Sequence, residues 1–521
     1  MKKIVIIGGG PAGLSAGYYL LKNNKNFEVI IIEKDNQVGG ISKTVMYNGN
    51  RMDLGGHRFF TKNKEVSKLW NTLLKPQNKP SKDEIILKEV KEYPKKGLDP
   101  EKEDKVFLQR RRISRIYYNK KFFDYPVNLS FKTIRNLGVK DTFVSGCSYI
   151  KSSFKKLPEE NLENFYINRF GKKLYTIFFR DYTEKLWGIS PSEIDSSWGS
   201  QRVKGISISK VLKDNFKRVF KIKDKNKEVS LIDKFNYPKY GPGQMYEELA
   251  SYFENKGGKL KLNCEVVKIH KNGNDIDYII YKENGKMIKE EVDILISSMP
   301  IKDLVGGMNA IPRNIKQIST SLPYRDFVTI GLVLDNLKIK NNTKIKTINN
   351  NIPDTWMYIQ EKKQKLGRIQ VFNNWSPYLV KDINTISLGL EYFCSENDDF
   401  WCLSDKELKE YAVKELIEMD IIDNNNKVID YHVERVKKAY PAYFGSYKDF
   451  PKVKEYLNSI NNLYCIGRNG MHRYNNMDHS IETGIVCANN IINNITDREN
   501  IWSVNTEEDY HEETKAIKKT I

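Results

Sequence analysis

Four consecutive β-branched residues, Ile4-Val5-Ile6-Ile7, run straight into Gly8-Gly9-Gly10-Pro11-Ala12-Gly13, and few folds tolerate that order. The short apolar run reads as a strand buried in a parallel sheet. Gly8, Gly10 and Gly13 fit the spacing G-x-G-x-x-G. The first glycine permits a tight turn, the second lets a pyrophosphate approach the backbone, and the third lets the next helix close on the strand. Leu14 to Leu21 continue as that helix, its amino-terminal amides facing the phosphates. A second strand, Glu28 to Ile32, ends in Glu33, 20 residues after Gly13, where a carboxylate can accept hydrogen bonds from adenosine ribose hydroxyls. Strand, glycine turn, helix, strand and acid in this order predict an α/β chain whose first unit is a Rossmann-type dinucleotide-binding domain.

That unit accounts for a fraction of the 521 residues, and the length predicts two to four structural units. A hydrophobic content of 40% supports large cores and argues against disorder. The net charge of +20 would attract phosphates, anionic membrane surfaces or nucleic acid. Basic residues are spread along the chain without an arginine-rich arm or zinc-finger spacing, so a small anionic substrate is expected and nucleic acid is not. Cys147, Cys264, Cys394, Cys402, Cys465 and Cys487 form no CxxC pair, which argues against a disulfide framework or a zinc site and predicts a reducing, cytoplasmic setting. The glycines between Gly8 and Gly13 interrupt the uncharged stretch Ile4 to Leu21 too heavily for a signal peptide or a membrane span. No transmembrane segment is expected, while peripheral membrane association and the oligomeric state stay open.

The chain is expected to leave the dinucleotide domain and return to it twice. Residues 1–75 form its first part. Residues 76–112, rich in Lys and Glu, read as a charged surface insertion or mobile loop. Within 113–230, Ser114 to Tyr118 and Lys121 to Pro126 read as a hairpin around Asn119-Lys120. The spacing of Leu174, Ile177, Phe178 and Tyr182 then predicts a mostly helical, substrate-side unit. Residues 231–300 return to the dinucleotide domain, with a strand meander from Lys259 to Glu290 and a re-entrant strand near Ile294. Residues 301–460 read as a sheet-containing substrate domain with a helix at 405–419. Residues 461–497 bring back a strand at Leu463 and a helix from Ser480 to Ile495, and 498–521 read as a polar tail.

Two further glycine pairs bear on which dinucleotide is bound. Gln37-Val38-Gly39-Gly40 closely follows Glu33, and Asp53-Leu54-Gly55-Gly56-His57 supplies another tight turn. Both resemble turns of FAD-binding amine-oxidase-like proteins, in which the second lies against the isoalloxazine ring. An NAD dehydrogenase would not be expected to carry either. More specific are Phe178-Phe179-Arg180-Asp181-Tyr182-Thr183-Glu184-Lys185-Leu186-Trp187-Gly188, then Asn373-Asn374-Trp375-Ser376-Pro377-Tyr378, and finally Gly467-Arg468-Asn469-Gly470 with Arg473-Tyr474 and Asp478-His479-Ser480. In order and from end to end, these segments resemble the UDP-galactopyranose mutase family, particularly its longer, eukaryotic-type members.

The resemblance implies FAD held by Gly8, Gly10, Gly13, Glu33, Gly39, Gly40, Gly56, His57, Arg468, Asp478 and Ser480. It implies Arg180 and Arg368 as catalytic, diphosphate-binding residues, because a planar guanidinium can hold two phosphate oxygens in parallel charge-assisted bonds. Tyr378, Tyr440 and Tyr474 would complete that cradle, and His57 would respond to the redox state of the flavin. The implied activity is a redox-neutral mutase acting on a nucleotide-activated sugar for surface polysaccharide, with N5 of the reduced flavin attacking the anomeric carbon. Its partners would be a nucleotide-diphosphate sugar and an external reductant. No metal is expected, since His472 and His479 lack further ligands. Residues 76–112 have no counterpart in the family, and Tyr125-Pro126-Val127-Asn128 replaces the aromatic-bearing stretch that meets the base, so nucleotide and sugar stay open. The alternative is an oxidoreductase of the amine oxidase, protoporphyrinogen oxidase or desaturase kind, which would want an apolar substrate tunnel. Without the resemblance, Arg180 reads as a helix residue ion-paired with Asp181 or Glu184, and the tyrosines as half-buried core.

Overall fold

The β-branched run forms the strand Lys2–Ile7, at the centre of a five-stranded parallel sheet. The strands are ordered Lys259–Lys261, Phe27–Ile32, Lys2–Ile7, Ile294–Ser297 and Leu463–Cys465. Ile4 lies opposite Val29 on one side and Ile294 on the other. Ile4, Val5 and Ile6 are fully buried, as a parallel strand covered on both faces requires. This is a computed structural model, and it describes residues 1–23, 26–125, 127, 131–196, 198–199 and 234–505, with backbone alone at 230–231 and 513–514.

The helix Pro11–Asn23 packs against Met477–Ile492 and Pro242–Glu254. Small residues set this spacing: a Cβ on Gly484 would lie 2.4 Å from the Ala12 carbonyl oxygen, and one on Gly17 would lie 2.9 Å from the Phe253 ring. The antiparallel meander Cys264–Asn272, Asp275–Glu283 and Lys286–Glu291 flanks the sheet, and Ile269, Ile276 and Ile279 join its core. Sequence stretches hundreds of residues apart therefore share one hydrophobic interior.

A second, seven-stranded sheet runs in the order Val428–Pro441, Tyr324–Leu334, Ile386–Cys394, Leu366–Val371, Trp356–Ile359, Ser114–Tyr118 and Lys121–Asp124. Trp356–Ile359 and Ser114–Tyr118 run parallel, and the other neighbours are antiparallel. One face is covered by the helix Asp405–Glu418 through Leu408, Ala412 and Leu416. The other face carries Phe327, Trp356 and Phe393 towards Phe178, Leu186 and Trp187 of the helical unit. That unit comprises Phe131–Leu137, Val139–Phe154, Leu162–Tyr175, a π-helical turn Thr176–Arg180, and Asp181–Trp187.

Four expectations need correction. Residues 76–112 are not simply a surface insertion, because Val106–Arg111 pairs with Lys234–Pro238 and buries Val106, Phe107 and Leu108; the charged residues before the strand mask it in any averaged composition. The hairpin turns at Asn119-Lys120 but joins the seven-stranded sheet through Trp356–Ile359, a pairing that local periodicity cannot specify. The helix expected from Ser480 begins at Met477, since Asn476 and His479 form a capping box. The tail opens with a packed helix, Glu499–Trp502, that buries Ile501 and Trp502. Residues 201–229 of the helical expectation, Pro126, Asn128, and 506–512 and 515–521 of the tail lie outside the described residues.

Candidate cofactor and active site

Three glycine turns meet at the carboxyl end of the parallel sheet. Gly8 has φ 101° and donates its amide to the Ile32 carbonyl at 2.8 Å. A Cβ on Gly13 would lie 2.0 Å from the Gly8 carbonyl oxygen, so helix and strand close as tightly as backbone allows. Gly39, at φ 105°, donates to the Gly9 carbonyl at 2.9 Å and seats the Gly39-Gly40 turn over the first loop. Between the turns is open space, because a Cβ on Gly10 would meet nothing nearer than the Gly40 backbone at 4.0 Å. Glu33 is buried beside this gap, accepting from the Gly9 amide at 2.6 Å and the Asp35 amide at 2.9 Å. Burial raises its pKa despite those two donors. A backbone-lined gap at a helix amino terminus with an acid alongside fits the adenosine diphosphate half of a dinucleotide.

The third turn, Gly55-Gly56-His57, faces the second sheet. A Cβ on Gly56 would lie 2.0 Å from the Trp356 ring, so a side chain there would force the two units apart. The His57 Nδ1 is buried, facing the Gly55 backbone without a hydrogen bond of normal geometry. Burial, then the nearby Arg468 and Arg368 charges, push its pKa down to about 4, so the imidazole is neutral at pH 7. Arg468 is clamped by the Asn475 carbonyl at 2.9 Å and the Ala439 carbonyl at 3.2 Å, with its guanidinium 4.6 Å from the Tyr474 ring centre. Asp478 stands in the first turn of Met477–Ile492 and lines the same cavity. The Ser480 amide is taken by the Asn476 carbonyl at 3.0 Å, so any helix-end amides offered to a ligand come from before Ser480.

Arg368 projects from Leu366–Val371 into the space between these turns and the helical unit. Its Nε lies 3.0 Å from Oε2 of the fully buried Glu391, and a terminal nitrogen donates to the Tyr440 hydroxyl at 2.8 Å. The guanidinium sits over the rings of Phe393 at 4.6 Å and Trp356 at 5.0 Å, and Glu391 keeps it firmly protonated. Tyr440 stacks on Tyr474 at 5.6 Å and 15°, and burial raises its phenol to about 12. Arg58 and Arg112 line the cavity as well, giving four arginines against the single carboxylate of Asp478 in its lining. The cleft is positive and partly desolvated, with aromatic side chains including Tyr358, Tyr440 and Tyr474 in its walls, and such a potential attracts anionic groups.

Two expected cradle residues lie elsewhere. Arg180 pairs with Asp181 at 2.9 Å, half exposed at the end of the π-helical turn, and does not line the cavity. Tyr378 is turned away because Trp375 donates to the Thr355 carbonyl at 2.7 Å and Ser376 to the Lys239 carbonyl at 2.6 Å. Its hydroxyl bonds the Glu101 carboxylate and accepts from the Lys82 amide at 3.3 Å, so it does not complete this cradle. Arg58, Arg112, Trp356 and Glu391 were not anticipated. Glu391 carried a usable signal, being the lone charge in the apolar strand Ile386–Cys394, where a carboxylate must find a partner.

Comparison with known proteins agrees with this geometry. The family model described as flavin containing amine oxidoreductase matches residues 11–492. A protoporphyrinogen oxidase of Dictyostelium discoideum is 22% identical over 388 residues, spanning 64% of this chain and 66% of that protein. Among solved structures, reduced UDP-galactopyranose mutase superposes with a TM-score of 0.76 at 20% identity, over 98% of this chain and 96% of the other. A putative protoporphyrinogen oxidase from Exiguobacterium sp. 255-15 gives 0.64 at 13% identity, over 95% and 98%. Putrescine oxidase bound to putrescine gives 0.58 at 14%, over 94% and 99%. The chain belongs to the flavin-containing amine oxidoreductase family, and its α/β fold is the one seen in UDP-galactopyranose mutase.

Proposed function

We propose that this flavoenzyme binds FAD and interconverts the ring forms of a nucleotide-diphosphate sugar without net oxidation, in the cytoplasm and for surface polysaccharide. The observation that carries the reading is the cavity beside Gly55-Gly56-His57, where Arg58, Arg112, Arg368 and Arg468 gather around two stacked tyrosines. Gly8, Gly10, Gly13, Gly39, Gly40 and Glu33 hold the adenosine diphosphate half of FAD. Gly56, His57, Arg468 and Asp478 border its ring and ribityl chain. When bound and reduced, the flavin supplies the nucleophile for the anomeric carbon.

Arg368 grips the diphosphate of the substrate, with Tyr440 and Tyr474 donating beside it, and Glu391 fixes the plane of the guanidinium. Neutral His57 adds no positive charge to the flavin-side turn and can accept a proton there as charge shifts. Arg180 acts at closure. It lies two residues from Tyr182, whose ring packs edge-on against the cavity residue Tyr358 at 5.7 Å, and it exchanges Asp181 for phosphate when the helical unit closes on substrate.

The test is a titration of purified protein with UDP-, dTDP- and GDP-sugars, followed by flavin absorbance, and turnover with and without dithionite. A mutase requires the reductant and consumes none of it stoichiometrically. The likeness to protoporphyrinogen oxidase and putrescine oxidase supports a second reading, an oxidoreductase using oxidised flavin. Oxygen-coupled oxidation of an amine or a porphyrinogen, with no nucleotide sugar bound, would establish that reading instead.

A further inference from the structure

The helix Val139–Phe154 is amphipathic in the wrong direction for a soluble protein. At 3.6 residues per turn, Val139, Phe143, Ile150 and Phe154 fall within an arc of about 60°, and that arc faces outward. Their exposures are 82%, 72%, 56% and 89%. The opposite face buries Ser145 and Ser152, and the Ser148 hydroxyl accepts from the Lys173 amide at 3.1 Å. A Cβ on Gly171 would lie 2.7 Å from the Tyr149 amide nitrogen, so the small, polar face is the one packed tightly on the neighbouring helix. The preceding helix adds Phe131, 81% exposed. Protruding side chains of this size, collected on one element, mark an interaction surface.

Charge identifies the occupant. Lys132, Arg135, Lys140, Lys151, Lys155 and Lys156 lie on or beside these two helices, against Asp141 alone between Phe131 and Lys156. Lys140 and Lys151 follow one flank of the apolar arc, and Lys155 stands just past the carboxyl end of the helix. A second copy of the chain docked on this face would bring like charges together, whereas an anionic lipid surface would accept the lysines at its headgroups and the phenylalanines at its acyl boundary. Among the described residues no helix is long and apolar enough to cross a membrane, so the contact is interfacial.

We propose that the Phe131–Phe154 helical arm is a peripheral membrane-binding surface that docks the enzyme on anionic lipid. The holoenzyme should co-sediment with vesicles of phosphatidylglycerol and phosphatidylcholine, weakly with phosphatidylcholine alone, and less as salt rises. Substituting Phe143→Ser with Phe154→Ser, or Lys140→Gln with Lys151→Gln and Lys155→Gln, should leave flavin content and melting temperature unchanged. The lysine variant should lose about fivefold in vesicle affinity per residue replaced, and the phenylalanine variant should lose binding at all salt concentrations. Failure of the wild-type protein to bind the anionic vesicles overturns the proposal. So does a wild-type dimer, measured by analytical ultracentrifugation, that the phenylalanine variant dissociates while vesicle binding is unchanged. None of these readouts involves catalysis, so the result is independent of the reaction proposed above.

Discussion

Gly10 and Gly13 are three residues apart, yet a side chain at each should fail in different ways. At Gly10 a Cβ has 4.0 Å of clearance to the Gly40 backbone, while at Gly13 it would lie 2.0 Å from the Gly8 carbonyl oxygen. Gly10→Val is therefore expected to fold and purify colourless, its side chain filling the gap that a pyrophosphate needs. Gly13→Val should not accumulate as soluble protein, because helix and strand cannot separate by over an ångström without opening the core. Circular dichroism and flavin absorbance distinguish the two, and a yellow Gly10→Val protein would refute the placement of the cofactor. Arg368 has a double role that the sequence did not disclose. Arg368→Ala should weaken nucleotide-diphosphate binding and also destabilise the fold by about 3–5 kcal/mol, because it strands buried Glu391. Pairing it with Glu391→Gln should restore much of the urea midpoint and none of the affinity. The glycine spacing was legible since it depends on neighbours a few residues away, and Glu33 because it stands at the end of the second strand of one short strand, turn, helix and strand unit, which brings it to the Gly9 amide. The Arg368–Glu391 pair was not, because it depends on two strands lying side by side.

Whole elements follow the same division. The helix Asp405–Glu418 and the last two meander strands lie within a few residues of where periodicity puts them, because a 3.6- or 2-residue repeat is a local property. Lys259–Lys261, expected to open the meander, instead pairs with Phe27–Ile32 in the parallel sheet, and the meander starts at Cys264. Val106–Arg111 escaped notice because its burial comes from pairing with Lys234–Pro238, more than a hundred residues away. The hairpin shows both sides at once. Its turn was readable from Asn119-Lys120, and both residues do adopt positive φ, 50° and 56°, as a two-residue hairpin turn of matching twist requires. Lysine is poorly suited to that conformation, at a cost of roughly 1–2 kcal/mol relative to glycine. Its ammonium pairs with Asp420 at the surface, an interaction worth ~0–1 kcal/mol. Lys120→Gly should therefore raise stability by about 0.5–1 kcal/mol in chemical denaturation. A decrease would show that the exposed pair outweighs the backbone relief.

At the scale of the whole molecule, the dinucleotide site is assembled from stretches that the chain visits at widely separated times. Gly8 to Gly13 and Gly39-Gly40 come from the amino-terminal part, the strand Ile294–Ser297 from the middle, and Arg468 and Asp478 from the last fifth. Apolar runs at Ile294 and Leu463 are readable as strands in the sequence, but their place in the sheet with Lys2–Ile7 comes from packing. A ligand spanning such a site binds the folded state and has little affinity for the separated segments, so it should stabilise the chain by mass action. Each tenfold rise in free FAD above its dissociation constant adds about 1.4 kcal/mol. With an unfolding entropy near 2.1 cal/mol/K per residue over 521 residues, that corresponds to a melting temperature increase of roughly 1 °C per decade. Apoprotein prepared by removing the flavin should show this logarithmic climb with FAD and none with NAD, followed by intrinsic tryptophan fluorescence. Gly10→Val should be flat in both titrations, and Glu33→Ala should shift the FAD curve to higher concentration with the same slope. A climb with NAD alone would contradict the FAD assignment. A response to FAD that Gly10→Val leaves intact would locate the binding outside the glycine turns on which the site is built.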